Sequence, residues 1–258
     1  MGTAKLILVV SPHFDDAVLS CGDHAMHWCG RGLDVGVLTL FSRASATVSA
    51  ELAGADPMSS HGESYMDMRR LEDCDALGLL GIRGKEGGLV DAGFRGSDQT
   101  LFAPPSRLRW QSIPRSDLEL LEPAIAVLRP HATDATTVLL PLGIGGHVDH
   151  LIARQAGEAL FHKRQIAYYA DMPYAARVRQ WSAAGLIALL RRSISHSCGS
   201  ETKRQAVLAY KSQAHIVERV MPHLRELLLF NCGSHLDLRM PPAKLAGPKL
   251  SRERALRK

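Results

Sequence analysis

Two short stretches concentrate the residue types that bind metals and move protons. One is Pro12-His13-Phe14-Asp15-Asp16, the other Gly146-His147-Val148-Asp149-His150. Imidazole nitrogens and carboxylate oxygens are hard-to-borderline ligands that suit Zn²⁺ or Fe²⁺. His13 and Asp16 are three residues apart across a polar break after an apolar run, so both can face one point. His147 and His150 have the same spacing, and at a helix start it puts both on one face. Three protein ligands plus a water make an open, catalytic site. Each stretch alone also has a plainer reading. A histidine after a strand is usually hydrogen-bonded scaffolding, and Asp15 or Asp16 alone suits a helix N-cap.

The elements around these stretches put both at one kind of place. Residues 5–10, KLILVV, read as a strand buried on both faces. Residues 17–28 carry Val18, Cys21, Ala25 and Trp28 at helical spacing, closed by Gly30 and Gly32. A second strand at 35–41 completes a βαβ unit. Further strands are expected at 137–140 and 166–170. Helices are expected at 65–79, 117–128, 148–161, 201–210 and 217–229. Residues 182–192 fit a helix or a buried strand equally well. The stretches 42–64 and 84–116 read as long loops that select the substrate, the second crowded with Gly, Pro, Arg and Asp. Alternating strands and helices predict an α/β fold with a mostly parallel sheet, where ligands bind at the carboxyl ends of strands. Both polar stretches follow predicted strands, so they meet if those strands are central.

The stretch SPHFDDAVLSCG resembles the first motif of the LmbE-like deacetylases, the PIG-L or N-acetylglucosaminyl-phosphatidylinositol de-N-acetylase family. GGHVDH is similar to that family's His-x-x-His motif. Arg69-Arg70-Leu71-Glu72 with Ala76-Leu77-Gly78, and Tyr168-Tyr169-Ala170-Asp171-Met172-Pro173-Tyr174, look like weaker family segments, in order along the chain. The resemblance implies a Rossmann-like three-layer fold and metal-dependent hydrolysis of an N-acetylated amino sugar. It implies His13, Asp16 and His150 as ligands to Zn²⁺ (Fe²⁺ fits the same set) and Asp15 as general base. His147 would protonate the leaving amine or stabilise the oxyanion, with Asp149 orienting it. Arg69, with Arg70 its neighbouring alternative, and Asp91 fall in regions that touch polar substrate in the family. Arg95 in the same Gly-rich loop is expected to bind sugar hydroxyls, and Asp171 and Tyr174 to line the pocket. The chain departs from some members in having Gly145 where they carry an oxyanion-assisting tyrosine, and Phe14 where proline is common.

Composition narrows the rest. The chain has 258 residues, 46% hydrophobic and 22% charged, enough for a sizeable core without staples. The longest apolar run, residues 183–190, is too short to cross a bilayer. The early apolar run is too short for a secretory signal. Five cysteines, an odd count without CxxC spacing, disfavour a disulfide framework, and a cytoplasmic location is expected. The net charge of +5 resides wholly in residues 241–258, which hold six basic residues and one acid. That argues for one domain over 1–240 with a basic tail at 241–258, and against a nucleic-acid partner. The expected partner is a small amino-sugar glycoconjugate. Competing functions are hydrolysis of another amide such as a thiol–sugar conjugate, a non-haem iron oxygenase, and a non-catalytic binding module.

Overall fold

The computed structural model describes residues 6–45, 62–95, 113–177, 192–196, 199–224 and 226–231. Much of the two expected substrate loops, with Phe102 and Trp110, lies outside these residues, as do almost all of the ambiguous segment 182–192 and the whole of the basic tail. Among the described residues one seven-stranded sheet has the order β3-β2-β1-β4-β5-β7-β6. The strands are β1 (Leu6–Ser11), β2 (Asp34–Arg43), β3 (Arg83–Val90), β4 (Ala135–Pro141), β5 (Ile166–Tyr169), β6 (Arg192–His196) and β7 (Leu227–Asn231). The five from β3 to β5 are parallel, and β7 runs against both of its neighbours. The α/β expectation with a mostly parallel sheet therefore holds.

The centre of the sheet follows from strand alternation. Ile7 and Val9 of β1 point into one apolar core, Leu8 and Val10 into another on the opposite face, and all four are buried. The first core receives α1 (Asp16–Gly30), α2 (Gly62–Leu80), α5 (Glu201–Leu208) and α6 (Ala214–Val220). The second receives α3 (Leu121–Leu128) and α4 (Val148–Leu160). On α1 the residues Val18, Cys21, Ala25 and Trp28 are all buried, so the spacing that predicts this helix is also its packing face. Trp28 is fully enclosed, and truncating such a side chain costs about 3–5 kcal/mol.

The order in which strands are added reverses at β1. β2 and β3 lie to one side of it, and β4 and β5 to the other. A crevice opens at such a switch point, outside the carboxyl ends of the two strands. The loops leaving β1 and β4 both border it, and they carry the two His/Asp stretches.

Three expectations need correction. Residues 83–90 form the edge strand β3 instead of a loop. Its sequence RGKEGGLV shows no apolar alternation because the strand is mostly exposed, and Gly87 is required by close approach: a Cβ there would stand 2.9 Å from the carbonyl oxygen of Leu40. The helix expected at 217–229 stops at Val220, followed by a 3₁₀ turn at Met221–His223 that contains Pro222, and Leu227–Asn231 is β7. An apolar run this short carries no period that separates helix from strand. The helix expected at 117–128 opens as a 3₁₀ turn, Arg115–Leu120, and becomes α-helical only at Leu121.

Candidate active site

The turn after β1 is held by Ser11, whose Oγ donates to the His13 carbonyl at 2.7 Å and accepts the Ala17 amide at 3.0 Å. Asp15 sits there at φ 124°, the one non-glycine with positive φ among the described residues. Backbone in this region is strained and persists where the surroundings over-determine it, often at functional sites. Asp15 makes no side-chain cap on α1, so the N-cap reading fails for it. After β4 the chain turns through Gly143, Gly145 and Gly146, all at positive φ, into α4. His147 is the N-cap of α4: its Nδ1 accepts the Asp149 amide at 3.3 Å.

Asp16 is where the two stretches meet. Its Oδ2 lies 2.9 Å from the His13 amide, 3.2 Å from His13 Nδ1 and 3.3 Å from His150 Nε2. Each ring is held from behind by a second carboxylate. His13 Nε2 donates to Asp149 Oδ2 at 2.9 Å, and His150 Nδ1 donates to Asp171 Oδ1 at 2.6 Å. Carboxylates placed this way fix the ring orientation and tautomer of metal-binding histidines. Nitrogens of His13, His147 and His150 also lie within 4.8 Å of one another, as do donor atoms of His13, Asp91 and Asp149, so His13 belongs to two groups that could hold a metal ion.

The electrostatics fit a cation at that point. Burial opposes charge on His13, but Asp91, Asp149 and Asp16 outweigh it and raise its pKa well above the usual value. Burial likewise opposes charge on His150, which Asp16 and Asp171 nevertheless push up to about 10. Burial favours the neutral form of Asp16, yet His150 and His13 hold its carboxyl well below the usual range. A divalent cation would compensate these carboxylates in place of the protons it displaces from the two rings. Among the described residues this donor set fits Zn²⁺ or Fe²⁺.

Asp15 is buried in the same turn and interacts electrostatically with Asp16 and His13. Burial pushes its pKa up to about 7, with the Arg69 guanidinium pulling the other way at 3.5 Å. Arg69 also donates to the Phe14 carbonyl at 3.0 Å and lies 3.6 Å from Asp91, which lies 3.8 Å from His13 Nε2. Arg70 points elsewhere, to Glu86 and Asp67 on the surface, so of the two arginines Arg69 is the one beside Asp15 and Asp91. Burial, with His13 and His150, lowers the His147 pKa to about 3. Its ring is therefore neutral, and because Nδ1 accepts, the proton is on Nε2.

Three residues stand apart from their expected places. The Asp149 side chain hydrogen-bonds to His13, and its backbone amide donates to His147 Nδ1. Asp171 is fully buried behind His150 and accepts the Ile144 amide, which leaves no surface for a substrate. Arg95 turns inward to Asp149 and Asp117. Tyr174 does border the site, its ring edge-on to His150 at 5.7 Å and packed against Gly145. Asp117 was not anticipated, since nothing in its local sequence signals a contact with a distant loop.

A family model described as GlcNAc-PI de-N-acetylase, PIG-L, matches residues 8–161. The chain belongs to this family. The matched span contains both His/Asp stretches, Arg69, Asp91 and Arg95, whereas Asp171 and Tyr174 lie beyond it. Among relatives, a 2′-N-acetylparomamine deacetylase from Streptomyces fradiae is 29% identical over 234 residues, 84% of this chain and 77% of the relative. A protein of the same name from Niallia circulans is 28% identical, covering 81% of each. A solved structure of a deacetylase–teicoplanin complex from the teicoplanin biosynthesis pathway is 24% identical, with TM-score 0.62 over 87% of this chain and 97% of that one. That structural likeness shows a shared α/β fold. No helix among the described residues is long and apolar enough to cross a membrane.

Proposed function

We propose that this PIG-L family member is a metal-dependent N-deacetylase that releases acetate from an N-acetylated amino sugar in a secondary metabolite. The observation that carries this reading is the convergence of His13 Nδ1 and His150 Nε2 on Asp16 Oδ2, with Asp15 buried alongside. Two relatives named as 2′-N-acetylparomamine deacetylases support an amino-sugar substrate. His13, Asp16 and His150 would hold the metal. When bound, Zn²⁺ polarises an acyl oxygen and brings the pKa of a water down to about 7.

The protein's own groups do the rest. Asp15, raised to about 7 by burial, accepts the water's proton as the oxygen adds to the acyl carbon. It is then the acid that returns a proton to nitrogen as the C–N bond breaks, because an amide anion is a poor leaving group. His147 is neutral with its proton on Nε2, so its part is to donate a hydrogen bond to the developing oxyanion. Of the two roles the family resemblance leaves open for His147, the low pKa favours this one. Arg69 and Asp91, beside Asp15 and His13, are placed for the polar substrate.

The test is elemental analysis of wild type beside His150→Ala, followed by acetate release from 2′-N-acetylparomamine. Near-stoichiometric metal in wild type, lost in the variant, with acetate released only by wild type, is the expected result. A metal-free wild type that stays inactive after reconstitution overturns the reading.

A further inference from the structure

Arg95 follows a 3₁₀ turn, Ala92–Phe94, that grips one carboxylate from two sides. The first amide of the turn, Ala92 N, donates to Asp149 Oδ2 at 2.9 Å. Arg95 Nη2 lies 2.7 Å from Asp149 Oδ1 and 3.0 Å from Asp117 Oδ1, and Nη1 donates to the Val90 carbonyl at 2.8 Å. The guanidinium also sits 5.4 Å from the centre of the Phe41 ring. Asp149 is fully buried, and no donor is aligned for a hydrogen bond with its Oδ1 among the described residues. The guanidinium charge is therefore what compensates that oxygen. An unpaired buried carboxylate is costly, and breaking such a pair from one side is strongly destabilising. Asp149 Oδ2, fixed in this way, receives His13 Nε2. The chain of contacts runs from Arg95 to Asp149 to His13 Nε2, and the other nitrogen of that ring, Nδ1, faces Asp16.

We propose that Arg95 is a positioning residue of the metal site, clamping Asp149 so that Asp149 aims the His13 ring, and is not a contact to the sugar. The proposal rests on the metal-dependent reading above. Its chemistry is the buttressing of a ligand histidine by a carboxylate, with the buttress itself held by a part-buried cation. Nη1 donates to the Val90 carbonyl, Nη2 is ion-paired with Asp149 and Asp117, and Nε and Nη2 are sealed from solvent, so the guanidinium presents little to a sugar.

The test uses the full chain loaded with Co²⁺, whose visible absorption reports ligand geometry. Arg95→Met and Arg95→Lys are compared with wild type for Co²⁺ affinity by chelator competition, for the Co²⁺ spectrum, and for acetate release from 2′-N-acetylparomamine. In Arg95→Met, Co²⁺ affinity and kcat are expected to fall by about 10–100-fold, the loss usual for a group that orients a metal ligand. The spectrum changes, and KM stays within a factor of about two. Arg95→Lys returns the charge without the reach to both carboxylates. It shows smaller shifts in the same quantities, and it decides the question if the Met variant does not fold. A rise in KM alone, with wild-type affinity and spectrum, overturns the proposal and makes Arg95 a substrate residue. A lower Tm with unchanged affinity, spectrum and kcat overturns it as well, by leaving a merely structural role. A wild-type chain that takes up no Co²⁺ defeats the metal reading itself, an outcome separate from either of these.

Discussion

His13 Nε2 and Asp149 Oδ2 stand 2.9 Å apart across 136 residues of sequence. This contact, between the turn after β1 and the first turn of α4, joins two motifs into one site. Each motif brings a candidate ligand and a carboxylate, and the carboxylate of the second orients the histidine of the first. The same device recurs at Asp171 and His150, using a residue after β5.

Asp15→Asn is expected to keep the metal and to lower kcat by about 10²–10⁴-fold, the usual loss on removing a general base. Metal content and single-turnover acetate release, measured on one preparation, check this. Loss of the metal along with activity would make Asp15 a ligand and refute its assignment.

Asp171→Ala leaves His150 Nδ1 without its acceptor. Metal affinity should weaken by about 10–100-fold, with KM for substrate little changed. Chelator competition gives the first quantity and initial rates the second. A large KM effect with intact metal binding would instead return Asp171 to the pocket lining.

Gly145 sits at φ +91°, and a Cβ there would stand 2.7 Å from the Tyr174 ring. Gly145→Ala therefore meets both backbone strain and a clash. A destabilisation of about 1–3 kcal/mol is expected, read as a lower urea midpoint at unchanged slope. A midpoint equal to wild type would show that Tyr174 moves aside freely.

Beneath α1, the buried Glu226 accepts from the Asp23 and His24 amides, from His24 Nδ1 at 2.5 Å and from Lys203 Nζ at 2.6 Å. Burial alone would raise its pKa, but Lys203 and His24 hold it down at about 2. A depressed folded-state value contributes stability that is present above the unfolded pKa near 4.5 and is lost as pH falls through about 2. The shift corresponds to about 3 kcal/mol. Urea unfolding at pH 6 and at pH 3 should show a smaller acid-dependent loss in Glu226→Gln than in wild type. Glu226→Gln should also be less stable at pH 6, where Lys203 is left buried without its counter-charge. Equal pH dependence in the two proteins would remove Glu226 from the acid response.

Local patterns in the chain were sufficient for the β1–α1–β2 unit and for both His/Asp stretches, because strand alternation, helical spacing and turn residues are properties of neighbours. They were also sufficient for the strands at 137–140 and 166–170, whose apolar runs are buried on both faces. The tertiary structure alone decided what each polar side chain does. Arg69 and Arg70 are adjacent and chemically identical, and only the packing of α2 turns one toward Asp15 and the other to the surface. The partners of Asp149, Asp171 and Arg95 lie on distant elements, so no spacing encodes them. β3 and β7 were hidden for a related reason: an exposed, glycine-rich edge and a short apolar run acquire strand character from the strand beside them. The site itself exists because strand order reverses at β1, which brings two carboxyl-end loops to one crevice. That reversal is a property of how the whole chain packs, and no local stretch contains it.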